Sequence, residues 1–166
     1  MTSESIHIEA MKVDDWISVA KIYREGIETG MATFEKKVPP WELWDKQHIE
    51  TCRLVARSKG KILGWAALSA VSSRCVYGGV AEVSVYVSSQ LRGEKIGEKL
   101  LRKLIDESEV QGYWTLQSGI FPENISSIRL HEKLGFRKIG FREKIGQLNG
   151  VWKDNILMEK RSKKTG

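Results

Sequence analysis

The chain has 166 residues, enough for one domain that buries roughly two thirds of its unfolded surface. With 41% hydrophobic and 29% charged residues it is neither disordered nor collagen-like, and no apolar run approaches the roughly 18 residues of a membrane span. Lysine and arginine outnumber aspartate and glutamate 27 to 21, a net charge of +6 that asks for an anionic partner or for none.

The first ten residues carry Glu4, His7 and Glu9 without a basic-then-apolar leader, so the cytoplasm is the expected compartment. Ile6 and Ile8 alternate with polar residues as a short strand. Trp16, Ile17, Ala20, Tyr23 and Ile27 then recur at helical intervals behind the capping-type pair Asp14-Asp15. Pro40 opens a second short helix over 41–49, with Trp41, Trp44 and His48 on one side. Residues 53–58 and 62–70, broken by Lys59-Gly60, form an antiparallel hairpin. A loop over 72–79 precedes an alternating strand at 81–87 that contains an acid, Glu82.

Ile96, Leu100, Leu101, Leu104 and Ile105 mark an amphipathic helix ending near Gly112, followed by a strand over 114–120. Residues 124–134 are a helix closed by Gly135, and 136–145 and 151–158 are a last pair of strands around Asn149-Gly150. The order β α α β β β α β α β β gives an α/β (α+β) fold: a mixed, mostly antiparallel central sheet with helices on both faces, one domain over 1–160 and a basic flexible tail over 161–166. Lys160, Arg161, Lys163 and Lys164 place part of the charge excess in that tail. Cys52 and Cys75, without a second pair, suggest neither a disulfide framework nor a zinc site, and no metal is expected.

Between the strand with Glu82 and the next helix lies Arg92-Gly93-Glu94-Lys95-Ile96-Gly97. The first N–H groups of a helix are unpaired and sit at the positive end of its dipole, and glycine allows a bulky anion to approach the main chain. The turn is therefore either a phosphate cradle or a strand-to-helix turn whose glycines serve geometry alone. It matches neither the P-loop nor the dinucleotide fingerprint.

The strand Ala-Glu-Val-Ser-Val-Tyr-Val, this turn, and Asn124 to Phe136 with its Leu-His-Glu-Lys-Leu-Gly-Phe resemble the GNAT superfamily of acetyl-CoA-dependent N-acetyltransferases. More narrowly, residues 27–34, the loop 74–82, His131-Glu132 and 150–154 are similar to the phosphinothricin, methionine sulfoximine and methionine sulfone acetyltransferases of that superfamily. The resemblance implies that Arg92, Gly93, Glu94, Lys95, Ile96 and Gly97 hold the pyrophosphate of acetyl-CoA, with Lys95 where the family has its first motif glycine. It implies that Val85, Tyr86 and Val87 run beside the pantetheine, with Asn124 and Ser127 as further contacts. The same resemblance gives Glu82 as general base. It also puts His131 where many members carry a tyrosine near the departing thiol; histidine can act as acid or base. It implies that Arg74 takes the acid group of the acceptor, that Phe34, Tyr77 and Tyr86 wall it, that Trp152 and Asp154 belong to a C-terminal signature, and that the protein is a homodimer. A second basic residue expected before Arg74 is Ser72 here.

The residues keep other readings open. Glu82 could be an edge-strand carboxylate facing solvent or bonded to a core amide, and His131 a helix histidine packing on the next strand. The expected activity is acetyl transfer from acetyl-CoA to the α-amino group of a small amino acid or analogue, by direct attack through a ternary complex. The alternatives are a member acting on a peptide N-terminus or polyamine, and a non-catalytic acyl-CoA-binding protein. A nucleic-acid partner is not expected, since the basic residues are scattered and interleaved with glutamate over 94–109, and neither is a membrane partner.

Overall fold

The computed structural model describes residues 5–91 and 94–166. Seven strands and four helices follow in the order β1 (His7–Ala10), α1 (Trp16–Glu28), α2 (Trp41–Gln47), β2 (Leu54–Ser58), β3 (Lys61–Ala70), β4 (Val80–Val87), α3 (Ile96–Val110), β5 (Thr115–Ile120), α4 (Ile125–Lys133), β6 (Arg137–Leu148) and β7 (Val151–Arg161). This is the order read from the sequence. The strands form one sheet, β1-β2-β3-β4-β5-β7-β6, in which β4 and β5 are parallel and every other neighbouring pair is antiparallel. Two tight turns close hairpins where the dipeptides predict them. Lys59 and Gly60, and Asn149 and Gly150, all have positive φ, the backbone that matches the twist of the flanking strands.

The two faces of β3 sort the core. Ala66 and Leu68 turn toward α3, where Leu100, Leu101 and Leu104 are fully buried with Leu54 and Ala81. Trp65 and Ala67 turn the other way, onto Val19, Ile22, Tyr23 and Trp44 of α1 and α2. Four of the six tryptophans, Trp16, Trp41, Trp44 and Trp65, cluster in this second layer with ring centroids 5.5–5.8 Å apart. The buried stripe of α1 differs from the sequence expectation: Ile17 is 83% exposed, and Val19 and Ile22 are buried in its place. Asp15, just before the helix, accepts hydrogen bonds from the Lys12 N–H at 2.9 Å and from Arg57 of β2 at 2.8 Å, and this anchor sets the rotation at which α1 meets the sheet. At the end of β7, Arg161 donates to the carbonyls of Trp114 and Thr165, and the next residue, Ser162, donates to Glu109 at the end of α3.

The last two strands run longer than the hydrophobic alternation predicts. Two register shifts in β6, at Lys138/Gly140 and at Arg142/Gly146, interrupt the alternation without ending the strand. One irregularity of the sheet creates the site. β4 pairs with β3 as far as Val87, opposite Gly64, but with β5 only from Val80 to Glu82, opposite Thr115 to Gln117. Beyond Glu82 the parallel strands part, and the edge of β4 faces open space. Gly64 permits the packing behind this wedge, since a Cβ there would lie 2.8 Å from the Tyr86 carbonyl and 3.0 Å from Leu100.

Candidate functional site

The parted strands open a cleft of about 620 Å³. The end of β4 forms one wall through Val85, Tyr86 and Val87. The first residues of α3, Lys95 to Gly97, form the floor of one end, and Asn124, Ser127 and His131 of α4 and its cap form the other wall. A smaller cavity of about 270 Å³ adjoins it and contains Glu82, Gln117, Phe34, Phe121, Asn155 and Arg142. Tyr86, Asn124, Ser127 and His131 line both.

Local chemistry explains how each wall is held. Lys95 is the residue before the first turn of α3 and has φ 60° and ψ 23°, the left-handed conformation that favours glycine. The lysine therefore adopts the backbone a glycine would supply there, and adds a cationic side chain to the lining of the cleft at the start of the helix. Asn124 caps α4: its Oδ1 accepts the Ser127 N–H at 3.3 Å. Its Nδ2 donates to the Met31 carbonyl at 3.2 Å, tying the segment after α1 to the mouth of the cleft. The Phe34 ring meets Phe121 edge to face at 4.8 Å and walls the smaller cavity. Tyr86 stacks on its cross-strand partner Trp65 at 5.0 Å and meets Tyr23 edge-on at 4.9 Å; burial pushes its phenol well above the ordinary range, so it stays protonated.

His131 is 4% exposed. Its Nδ1 lies 2.7 Å from the Ser127 carbonyl, one helical turn back. A carbonyl can only accept, so the proton sits on Nδ1 and Nε2 carries a lone pair. That Nε2 is buried and has no hydrogen-bond partner. Burial lowers the pKa of the ring below its ordinary value, against the opposing effect of the Ser127 carbonyl, so the imidazole is neutral at pH 7. The ring also packs edge-on against Phe136 at 5.0 Å, as a helix histidine meeting the next strand would. Glu82 accepts a hydrogen bond from Gln117 Nε2 at 3.1 Å, across the last register pair of β4 and β5. The amide fixes one carboxylate oxygen and leaves the other for the cavity.

Of the residues singled out from the sequence, the structure brings Phe34, Glu82, Val85, Tyr86, Val87, Lys95, Ile96, Gly97, Asn124, Ser127 and His131 to the two cavities. Arg92 and Gly93 lie outside the described residues. Glu94 is exposed and lines neither cavity. Arg74 and Tyr77 also line neither: both are exposed on the loop before β4, with the guanidinium 5.5 Å from the Tyr77 ring centroid. Trp152 is 54% exposed, and Asp154 accepts the Lys144 N–H at 2.8 Å. Sequence reasoning missed Gln117, Arg142, Asn155 and Arg129. Arg129 was within reach, because it stands one helical turn before Lys133 on α4 and both line the long cleft; the other three reach the site only through strand pairing.

A long cleft with a free strand edge along one side and a cationic helix start at one end fits an extended molecule carrying amides and a terminal phosphate, which is the chemistry of acetyl-CoA. The main chain of β4 beyond Glu82 would pair with the amides, and Lys95 with the first N–H groups of α3 would meet phosphate. Among the described residues no group of three His, Cys, Asp or Glu side chains is placed to hold a metal ion, and no helix is long and apolar enough to cross a membrane.

Residues 16–136 match the family model described as acetyltransferase (GNAT) family. The chain is 30% identical over 163 residues to phosphinothricin N-acetyltransferase of Alcaligenes faecalis, covering 92% of this chain and 81% of that protein. It is 35% identical over 100 residues to the L-methionine sulfoximine/L-methionine sulfone acetyltransferase of Pseudomonas paraeruginosa, covering 60% of this chain and 58% of that protein. Among solved structures, a GNAT superfamily phosphinothricin acetyltransferase from Sinorhizobium meliloti, in complex with acetyl-CoA, superposes with a TM-score of 0.86 at 29% identity, over 95% of this chain and 88% of that one.

Proposed function

The chain belongs to the acetyltransferase (GNAT) family, whose members use acetyl-CoA, and from that premise we propose that it acetylates the α-amino group of a small amino acid or analogue of the phosphinothricin, methionine sulfoximine or methionine sulfone type. The observation that carries this reading is the junction of two spaces of different character. A long open-edged cleft suited to acetyl-CoA meets a small cavity holding a carboxylate, and His131, which lines both, stands where they join.

In this reading the bound acetyl-CoA supplies an acetyl thioester at the junction. Val85, Tyr86 and Val87 align it along the free edge of β4, and Lys95, Ile96 and Gly97 hold its phosphates, with Arg92 and Gly93 of the same sequence motif as further phosphate contacts. Glu82 takes a proton from the acceptor ammonium, because an ammonium has no lone pair with which to attack. Gln117 keeps that carboxylate facing the cavity. As the new C–N bond forms, the nitrogen must lose a second proton. Neutral His131 receives it on Nε2 and returns it to the departing sulfur, so the acid role implied for His131 requires that it first act as a base. The protons balance: one reaches solvent through Glu82 and the other leaves on the thiol. Phe34 and Tyr86 shape the acceptor space. Asn124 and Ser127 hold the wall of α4 and the mouth of the cleft.

The acid-group role that the resemblance gives Arg74 has no support in the geometry, since its guanidinium faces Tyr77 outside both cavities. The homodimer reading draws support from Phe141, Ile145, Val151 and Trp152, large apolar side chains 52–59% exposed along the β6–β7 hairpin. The test is thiol release from acetyl-CoA with methionine sulfoximine, methionine sulfone, phosphinothricin, ordinary amino acids, polyamines and short peptides as acceptors. Release with the amino-acid group and not with polyamines or peptides is expected. Release with polyamines or peptides alone would move the assignment to another amine. Silence throughout, with acetyl-CoA still bound, would leave a non-catalytic acyl-CoA-binding protein.

A further inference from the structure

The smaller cavity is charged at two places. Among the described residues that line it, Glu82 is the only carboxylate and Arg142 the only side chain with a permanent positive charge. Two neighbouring cations of β6 and β7 are committed elsewhere: Arg137 to Glu159, and Lys153 to Glu123. The Arg142 guanidinium makes no hydrogen bond or ion pair with a described residue.

The strand is built to present this residue. Arg142 pairs with Asn155, and the next registered pair is Gly146 with Lys153, so three residues of β6 oppose the single residue Asp154. That bulge is held by a side chain: the Lys144 N–H donates to the Asp154 carboxylate at 2.8 Å, with Lys144 at φ 47°. A bulge breaks the regular alternation and redirects the side chains beside it. Gly146 then brings β6 against the acceptor wall, since a Cβ there would lie 3.1 Å from the Phe34 ring. The Asp154 expected as part of a C-terminal signature thus has a structural task, fixing the strand irregularity that follows Arg142.

We propose that Arg142 is the acid-group clamp of the acceptor site, so that the cavity selects a free amino acid by taking its amine at Glu82 and its carboxylate at Arg142. This rests on the acetyl-transfer reading of the same cavity. A guanidinium presents two parallel N–H donors that match a carboxylate, or a phosphinate oxygen pair, and such charge-assisted pairs are the stronger kind of hydrogen bond. A polyamine would instead bring a second cation toward Arg142, and a peptide would offer no carboxylate at the right separation from its amine. The cavity discriminates by charge placement as well as by shape.

The experiment compares wild type with Arg142→Gln, first confirming equal melting temperatures, which the exposed position of Arg142 leads us to expect. Two acceptors are used: L-methionine sulfone, and the primary amine with the same sulfone side chain but no carboxyl group. Arg142→Gln should raise the KM for L-methionine sulfone by about 10-fold or more, leave the KM for acetyl-CoA unchanged, and leave the KM for the carboxyl-free amine within about 2-fold. Equal KM values for L-methionine sulfone in the two proteins would overturn the proposal. Calorimetric titration of L-methionine sulfone in the presence of coenzyme A separates this from the fate of the catalytic reading. Binding weakened about 10-fold in Arg142→Gln supports the clamp even if no transfer is seen, and absent or unaltered binding removes it even if transfer is fast.

Discussion

Lys95 occupies a backbone conformation that costs it free energy, and replacing it by glycine should stabilise the protein while weakening its hold on acetyl-CoA. The residue has φ 60° and ψ 23°. For an L side chain this region costs about 1–2 kcal/mol, because Cβ crowds the following carbonyl. Glycine escapes that cost but loses about 0.5–1 kcal/mol more backbone entropy on folding, so the net gain for Lys95→Gly is about 0.5–1 kcal/mol. For a chain of 166 residues this is a rise in Tm of roughly 1–4 °C. Lys95→Ala provides the control, since alanine keeps the Cβ and should show no such rise. Urea unfolding with unchanged m-value gives the free-energy difference directly. In the same two variants, loss of the ammonium from the start of α3 should weaken acetyl-CoA binding at low salt and reduce its salt dependence. A Lys95→Gly protein no more stable than Lys95→Ala would refute the argument that this backbone is strained.

Two further expectations concern the framework. Burial lowers the pKa of both His131 and His48, so below pH 6.5 the unfolded chain takes up protons that the folded chain refuses. Stability is therefore highest above that value and falls as pH drops from about 7 toward 5, by at most about 1.4 kcal/mol per pH unit for each histidine. His131→Phe should flatten this slope in urea titrations at a series of pH values, and an unchanged slope would mean that His131 titrates normally in the fold. Gly79, buried just before β4, would carry a Cβ 2.0 Å from the Trp114 ring. Gly79→Ala should cost about 1–3 kcal/mol by forcing that ring aside, and a melting temperature equal to wild type would show that the ring gives way freely.

The sequence was most legible where one element carries its own pattern. The spacing of Leu100, Leu101 and Leu104 fixes the buried face of α3, and the alternation around Glu82 fixes β4. The positive-φ dipeptides Lys59-Gly60 and Asn149-Gly150 announce their hairpins. Features that depend on pairing between distant strands left no local trace. The parting of β4 from β5 beyond Glu82 and Gln117 is a property of two strands, and the cleft exists only because of it. Arg142 reads as one more charge on a polar strand until the bulge opposite Asp154 is seen. His131 was visible as a candidate, but its role turns on which nitrogen meets the Ser127 carbonyl, which no spacing records. Periodicity puts Ile17 in the stripe of α1, yet Ile17 is exposed, because the helix is anchored at its start by Asp15 and Arg57, residues that hydrophobic periodicity ignores.

The central claim is that this cavity moves an acetyl group onto an amine whose proton Glu82 removes. Acceptor-dependent thiol release by Glu82→Gln, measured beside wild type at saturating acetyl-CoA and together with the acetyl-CoA dissociation constant, tests it most directly. The glutamine keeps the shape and the Gln117 contact but cannot take the proton, so kcat should fall by about 100-fold or more with the dissociation constant unchanged. A Glu82→Gln enzyme with wild-type kcat would contradict the account.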